Sequence, residues 1–154
     1  MFDASIQREA DGIVALYPDP RSALLPLLHL VQREQGWVSP EAMRWVAERL
    51  ELTPAMVEGV TTFYTMYNTR PVGKHLIQLC RTLSCELRGS LDIRAHLKAR
   101  LGIGPGETSA DGRFTLVEVE CLGACGTAPA MMVGEDYHEN LTSERVDAIL
   151  SELG

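Results

Sequence analysis

Basic residues are in short supply: 14 Lys and Arg stand against 21 Asp and Glu, leaving a formal charge of −7 and an isoelectric point near 5.1. Phosphate backbones are gripped by basic faces that release counterions. Nucleic acid is therefore excluded as a principal partner, and an anionic membrane surface is disfavoured for the same reason. Long apolar runs are also missing. The longest, LLPLLHLV at residues 24 to 31, is interrupted by Pro26 and His29 and falls short of the roughly 18 to 20 residues a spanning helix needs. No direct membrane insertion is expected. The opening MFDASIQREADG carries acids where an export or transit segment carries basic residues. The expected location is the cytoplasm, where unbound thiols stay reduced.

Several chemical signatures are absent. No G-x-G-x-x-G follows a strand-like run, and GIGPG lies in a loop after a helix, so the chain itself is not expected to bind NADH. No Cys-x-x-Cys occurs, which a thiol–disulfide enzyme would need. No nucleophile is paired with a base, so bond-making chemistry is not expected. His29, His75, His96 and His138 are scattered among different segments and form no ligand pattern.

What is present reads as globular protein, with 45% apolar and 23% charged residues. The 154 residues suit one ordinary domain or two small ones. The first 70 or so residues read as consecutive short helices. Ile6, Ala10, Ile13, Val14 and Tyr17 keep a helical stripe that ends at the PDP of residues 18 to 20. A second helix is expected from Asp19-Pro20 or Ser22 to Gln35, with Gly36 as its stop and Pro26 either in its opening turns or bending it. Ser39-Pro40 and Thr53-Pro54 each place a hydroxyl N-cap before a proline suited to the first helical position. Met43, Val46, Ala47 and Leu50 then mark one buried face. Trp37 and Trp45 are assigned to this helical core. Core packing is also expected of Met56, Phe63, Tyr64, Met66 and Tyr67, although methionine and aromatics are enriched at partner contacts too.

After NTRPVGK, residues 68 to 74, the period changes. HLIQLC (75 to 80) and FTLVEVE (114 to 120) are strand-like, and each ends at a cysteine pair. Between them Ser90 can cap a helix carrying Ile93, Leu97 and Leu101, closing at Gly102. PAMMV (129 to 133) makes a third strand, and GEDY turns toward a fourth at 137 to 139. A last helix is capped by Thr142, stapled by Leu141 and Val146, and buried along Val146, Ile149, Leu150 and Leu153.

All four cysteines fall in two pairs, Cys80-x₄-Cys85 and Cys121-x₃-Cys125. If the two strands are parallel neighbours, their C-terminal loops sit side by side and the sulfurs can converge on a metal site. Independent structural thiols would not be used up in two loop pairs, and disulfides suit an exported chain. Structural zinc remains open, because both spacings lie within or at the edge of its range. A [2Fe–2S] cluster also remains open, and the wider gaps suit its two irons. Such a cluster with four thiolates is doubly negative when oxidised and triply negative after one-electron reduction, so it attracts N–H donors. Gly123 and Gly126 on one side and Gly89 on the other are candidates to supply them. Arg81 and Arg88 would moderate the negative charge, whereas Glu86, Glu118 and Glu120 would favour the oxidised form.

The whole chain resembles the small thioredoxin-like [2Fe–2S] subunit of respiratory complex I, the E-subunit family of NADH-quinone oxidoreductase. The resemblance is carried by the two cysteine pairs, VECLGAC, VEGVTTFYTMY, PVGK and YHENLTSERVDAIL, in the family's order and spacing. It implies an α+β to α/β architecture: an N-terminal helical bundle over residues 1–72, then a thioredoxin-like ferredoxin domain over 73–154 with a small central sheet. It also implies that Cys80, Cys85, Cys121 and Cys125 all bind the cluster. FMN and NADH would sit only in a large partner subunit, and the hetero-oligomer would form the peripheral arm of a membrane-bound complex at the inner face of the cell membrane. Similar subunits serve NAD-linked hydrogenases and formate dehydrogenases, and a zinc-stabilised interaction module is the alternative from another class. GTAP after Cys125 departs from the family's VNAP, so no role is carried over to Thr127. Ala128-Pro129 stands where thioredoxin folds often place a cis proline, an isomer that sequence does not fix.

Overall fold

The computed structural model describes residues 2–154 and divides the chain into two compact units, Met1–Pro71 and Val72–Gly154. The first holds four helices: α1 (Ala4–Ala15), α2 (Leu24–Gln35), α3 (Pro40–Arg49) and α4 (Pro54–Phe63). Their ends follow from side chains that replace missing backbone partners. Asp3 accepts from the N–H groups of Ser5 and Ile6, Ser39 from Ala42 and Thr53 from Met56, each bond contributing about 1 kcal/mol. A short 3₁₀ turn, Pro20–Ala23, leads into α2. Pro26 is the third residue of α2, where no intrahelical N–H is required, so it does not bend the helix. Gly36 closes α2 at φ 78°. Leu27, Leu28, Val31, Val38, Val46 and Val57 are fully enclosed at the centre of this unit.

Two expectations hold only in part in this unit. Trp37 is only half-buried and lies outside the apolar core, while Trp45 packs at the core's margin against Phe2 and beneath Arg49. Of the Met56–Tyr67 aromatic and methionine set, Tyr67 alone is buried, its hydroxyl donating to Leu25 O. Phe63 is 76% exposed, and Met56 and Tyr64 line an open groove of about 260 Å³ with Leu24, Leu25, Leu52 and Val60. The four helices already fill their shared core with aliphatic side chains, which leaves the larger groups at its surface.

The second unit is a four-stranded sheet of order β2-β1-β3-β4 with helices α5 to α7. Strands β1 (His75–Cys80) and β2 (Phe114–Val119) are parallel, in a register that sets Cys80 opposite Val119. Helix α6 (Ser90–Leu101) makes the connection between them. Strands β3 (Met131–Val133) and β4 (Asp136–His138) form an antiparallel hairpin that pairs with β1 through β3. Ile77, Leu79, Leu97, Leu116, Met131 and Val146 form the enclosed core. Thr142 caps α7 (Ser143–Glu152) by accepting from Arg145 N–H, while Leu141 and Val146 are both buried.

Locally this unit differs from the sequence-based expectation around the first cysteine pair. A five-residue helix, α5 (Leu83–Leu87), occupies the segment around Cys85. Gly89, at φ 96°, rather than Ser90, precedes α6, and Ser90 is the buried first residue of that helix. The Gly89 N–H is taken by Glu86 O, so it is not aimed at a sulfur. Ala128-Pro129 is cis. None of the helices among the described residues is long and apolar enough to cross a membrane.

Candidate metal centre

The parallel register dictates where the cysteines meet. Cys80 closes β1 opposite Val119, and Cys121 follows β2 two residues beyond that partner. The strand ends remain joined past the ladder, with Arg81 N–H donating to Val119 O at 3.0 Å and Cys80 N–H to Ala130 O at 3.1 Å. Helix α5 brings Cys85 back toward Cys80, and a 3₁₀ turn, Cys125–Thr127, carries Cys125. Cys80 and Cys85 are buried with Ala128 and Ala130, against which Leu122 and Ala124 pack, whereas Cys121 and Cys125 are exposed.

The sulfurs assemble as pairs. Cys121 Sγ lies 3.5 Å from Cys125 Sγ, and Cys80 and Cys85 share one buried cluster. Cys80, at the end of β1, and Cys121, two residues past β2, leave adjacent parallel strands, which puts the two pairs at the same end of the sheet. No three His, Cys, Asp or Glu side chains among the described residues surround a point suited to one ion. Burial raises the Cys80 thiol, but the Thr82 hydroxyl and N–H, Leu122 N–H and Cys85 outweigh it and hold Cys80 below its ordinary value. Cys121 is lowered by the Gly123 N–H, which donates to its sulfur at 3.3 Å, then by Cys125 and Thr82. Cys85 is pushed up to about 11, first by burial and then by Cys80. Cys125 is raised by Cys121, with the Ser84 hydroxyl acting in the opposite direction.

The surrounding charges are largely paired. Arg81 binds Glu120, Arg94 binds Glu118 at 3.1 Å, and Arg88 Nε donates to Ala128 O at 3.3 Å. The opposing tuning expected of these arginines and acids is thereby reduced. Several side chains that hold the second cysteine loop carry no signal in the sequence. Tyr137 donates its hydroxyl to Leu122 O, Thr127 donates to Glu139 Oε1 at 2.7 Å, and Asn140 N–H donates to Thr127 O at 2.6 Å. They sit on or beside the short β4 hairpin, where no periodic pattern connects them to the cysteines. Thr82 and Ser84, inside the first Cys-x₄-Cys segment, are legible in the sequence only as spacers. His29, His75, His96 and His138 stay outside the site: His29 packs against Tyr67 with the rings tilted, and His96 meets Asp147 at 2.9 Å.

The donor set fits an iron–sulfur core: four thiols in two pairs at one end of the sheet, with the Gly123 N–H and the Thr82 hydroxyl in contact with sulfur. Comparison with known proteins agrees. Residues 10–154 match the thioredoxin-like [2Fe-2S] ferredoxin family model. The E subunit of NADH-quinone oxidoreductase from Rickettsia bellii is 46% identical, covering 99% of this chain and 93% of that protein. An E subunit of the same enzyme from Rhizobium meliloti, the one numbered 2, is 45% identical, covering 95% of this chain and 87% of that protein. A chain of an air-oxidised NAD+-reducing [NiFe]-hydrogenase shares the fold at a TM-score of 0.73 and 24% identity, over 84% of this chain and 22% of that one. Fold, thiol chemistry and nearly full-length similarity together make this chain a member of the thioredoxin-like [2Fe–2S] ferredoxin family, alongside the E subunits of NADH-quinone oxidoreductase.

Proposed function

We propose that Cys80, Cys85, Cys121 and Cys125 hold the [2Fe–2S] cluster, and that the chain is an electron-transfer subunit in the NADH-oxidising module of an NADH-quinone oxidoreductase. It exchanges single electrons with an FMN held by a larger partner subunit, which also carries the NADH site. The observation that supports this reading is the register of parallel strands β1 and β2, which ends β1 at Cys80 beside the exit of β2, where Cys121 Sγ lies 3.5 Å from Cys125 Sγ. When bound, the cluster supplies reversible one-electron storage. The polypeptide does the rest. Buried Cys80 and Cys85 keep water from one side of the centre, exposed Cys121 and Cys125 present the other side to a partner, and Gly123 N–H offsets anionic charge on sulfur.

Similarity favours this assembly over the alternatives: relatives from NADH-quinone oxidoreductase reach 46% identity, against 24% for the hydrogenase chain. Sulfurs gathered in pairs favour a binuclear core over a single zinc. Association with the inner face of the membrane would come through the partner subunits. The test is to reconstitute the Cys121→Ala chain with its flavoprotein partner and record EPR after dithionite reduction. The [2Fe–2S] signal should disappear; an unchanged spectrum rules out this ligand assignment. Copurification from the native source should recover a flavoprotein that oxidises NADH, and recovery with hydrogenase or formate dehydrogenase subunits would reassign the assembly.

A further inference from the structure

Thr82 occupies the N-cap position of α5, with extended backbone, yet its side chain makes no cap hydrogen bond. A threonine there ordinarily turns its hydroxyl to an N–H two or three residues onward. Here Oγ1 lies 3.2 Å from Cys80 Sγ instead. The segment alternates accordingly: Arg81 and Leu83 point outward, Leu83 at 71% exposed, while Thr82 and Ser84 are turned inward and Cys85 is buried. A metal-bound cysteine sulfur has no proton to give, so a hydroxyl at this distance must be the donor.

Resting on the ligand reading above, we propose that Thr82 is a positioning residue for the cluster: its hydroxyl donates to the Cys80 thiolate and stabilises the reduced state. One-electron reduction adds negative charge to the sulfurs, and a hydrogen bond to them strengthens as it does so. Removing the donor should lower the potential. Thr82→Val keeps the shape and deletes the hydroxyl, whereas Thr82→Ser keeps the hydroxyl.

The test uses the full chain with its cluster loaded. Iron and sulfide are measured before any potential is compared, because a wild-type chain without sulfide would defeat the ligand reading rather than this one. Redox titration followed by EPR should show T82V shifted toward the oxidised state by on the order of tenfold in equilibrium constant, about 59 mV for one electron. T82S should recover most of that shift. A fully loaded T82V with the wild-type potential, or a T82S that behaves like T82V, overturns the proposal. Should T82V fail to load, Thr82→Ala serves in its place. The ENDOR spectrum of reduced T82A should then lack one exchangeable-proton coupling that the reduced wild type shows, and identical spectra overturn the proposal equally.

Discussion

Replacing Gly73 with alanine is expected to unseat the beginning of the sheet while leaving the cysteine site intact. A Cβ at this position would lie 2.8 Å from the Phe114 carbonyl carbon, 2.9 Å from Phe114 N and 3.0 Å from the Arg113 carbonyl carbon. All three atoms are backbone, so no flexible side-chain tip can yield. The Gly73 N–H also donates to Thr115 Oγ1 at 2.6 Å, and the adjacent Lys74 and His75 N–H groups bind Gly112 O and Arg113 O. Overpacking costs about 1–3 kcal/mol, and weakening the buried hydrogen bond adds about 1 kcal/mol. The sum is roughly 2–4 kcal/mol. For a unit of this size each kcal/mol moves Tm by about 4–8 °C, so the cluster's visible circular dichroism should be lost roughly 10–30 °C earlier on heating. Gly112→Ala is the control: nothing lies within 4 Å of its added Cβ, and only the left-handed backbone at φ 71° resists the change, at about 1–2 kcal/mol. Because Gly73 precedes β1 and Cys80 ends it, the EPR spectrum and iron content of loaded G73A should match wild type. A Tm within about 2 °C of wild type would refute the inferred backbone contact.

Other perturbations give outcomes of different sign. Gly59→Ala, within α4 with open space around its added Cβ, should stabilise the first unit by about 0.5–1 kcal/mol in chemical denaturation. Gly123→Ala must adopt φ 79° with no steric clash, and its N–H is the one bound to Cys121 Sγ; the loaded variant should lose its cluster to a chelator faster than Gly112→Ala. His75 is lowered from 6.5 by burial, with Lys74 and Arg113 adding to the effect, and its Nε2 is buried without a partner. The folded state therefore binds fewer protons than the unfolded state just below pH 6.5, and this contribution to stability is complete above that pH and is lost as pH falls. The slope should not exceed about 1.4 kcal/mol per pH unit, and His75→Gln should flatten it; an unchanged slope assigns the dependence elsewhere.

Elements whose burial imposes a period on the sequence are the legible ones. HLIQLC forms β1 as expected, FTLVEV forms β2, and the hydroxyl-proline signals at Ser39 and Thr53 open helices. The short α5 is hidden because Leu83 and Leu87 face solvent, at 71% and 78% exposed, so no apolar stripe marks it. Without α5 the α6 cap falls to Ser90, because the turn that requires Gly89 exists only when a helix precedes it. The aromatic and methionine run before residue 68 resembles core by composition alone, which does not reveal whether the aliphatic residues nearby have already filled the interior. At the site, spacing marks the four cysteines as candidates, and the structure ends β1 at Cys80 beside the exit of β2, where Cys121 Sγ lies 3.5 Å from Cys125 Sγ. Supports such as Thr127 with Glu139, or Tyr137 with Leu122 O, come from separate loops and become visible only once the hairpin has folded back.

Metal and acid-labile sulfide analysis of the purified full chain, carried out on wild type, Cys80→Ala and Cys121→Ala, tests the central claim most directly. Each substitution removes one sulfur, the first from the Cys80/Cys85 pair and the second from the Cys121/Cys125 pair. The wild type should contain iron and sulfide in equal amounts, about two of each per chain, and both variants should lose them. A single zinc without sulfide, or a cluster retained in full by Cys80→Ala, would contradict the account.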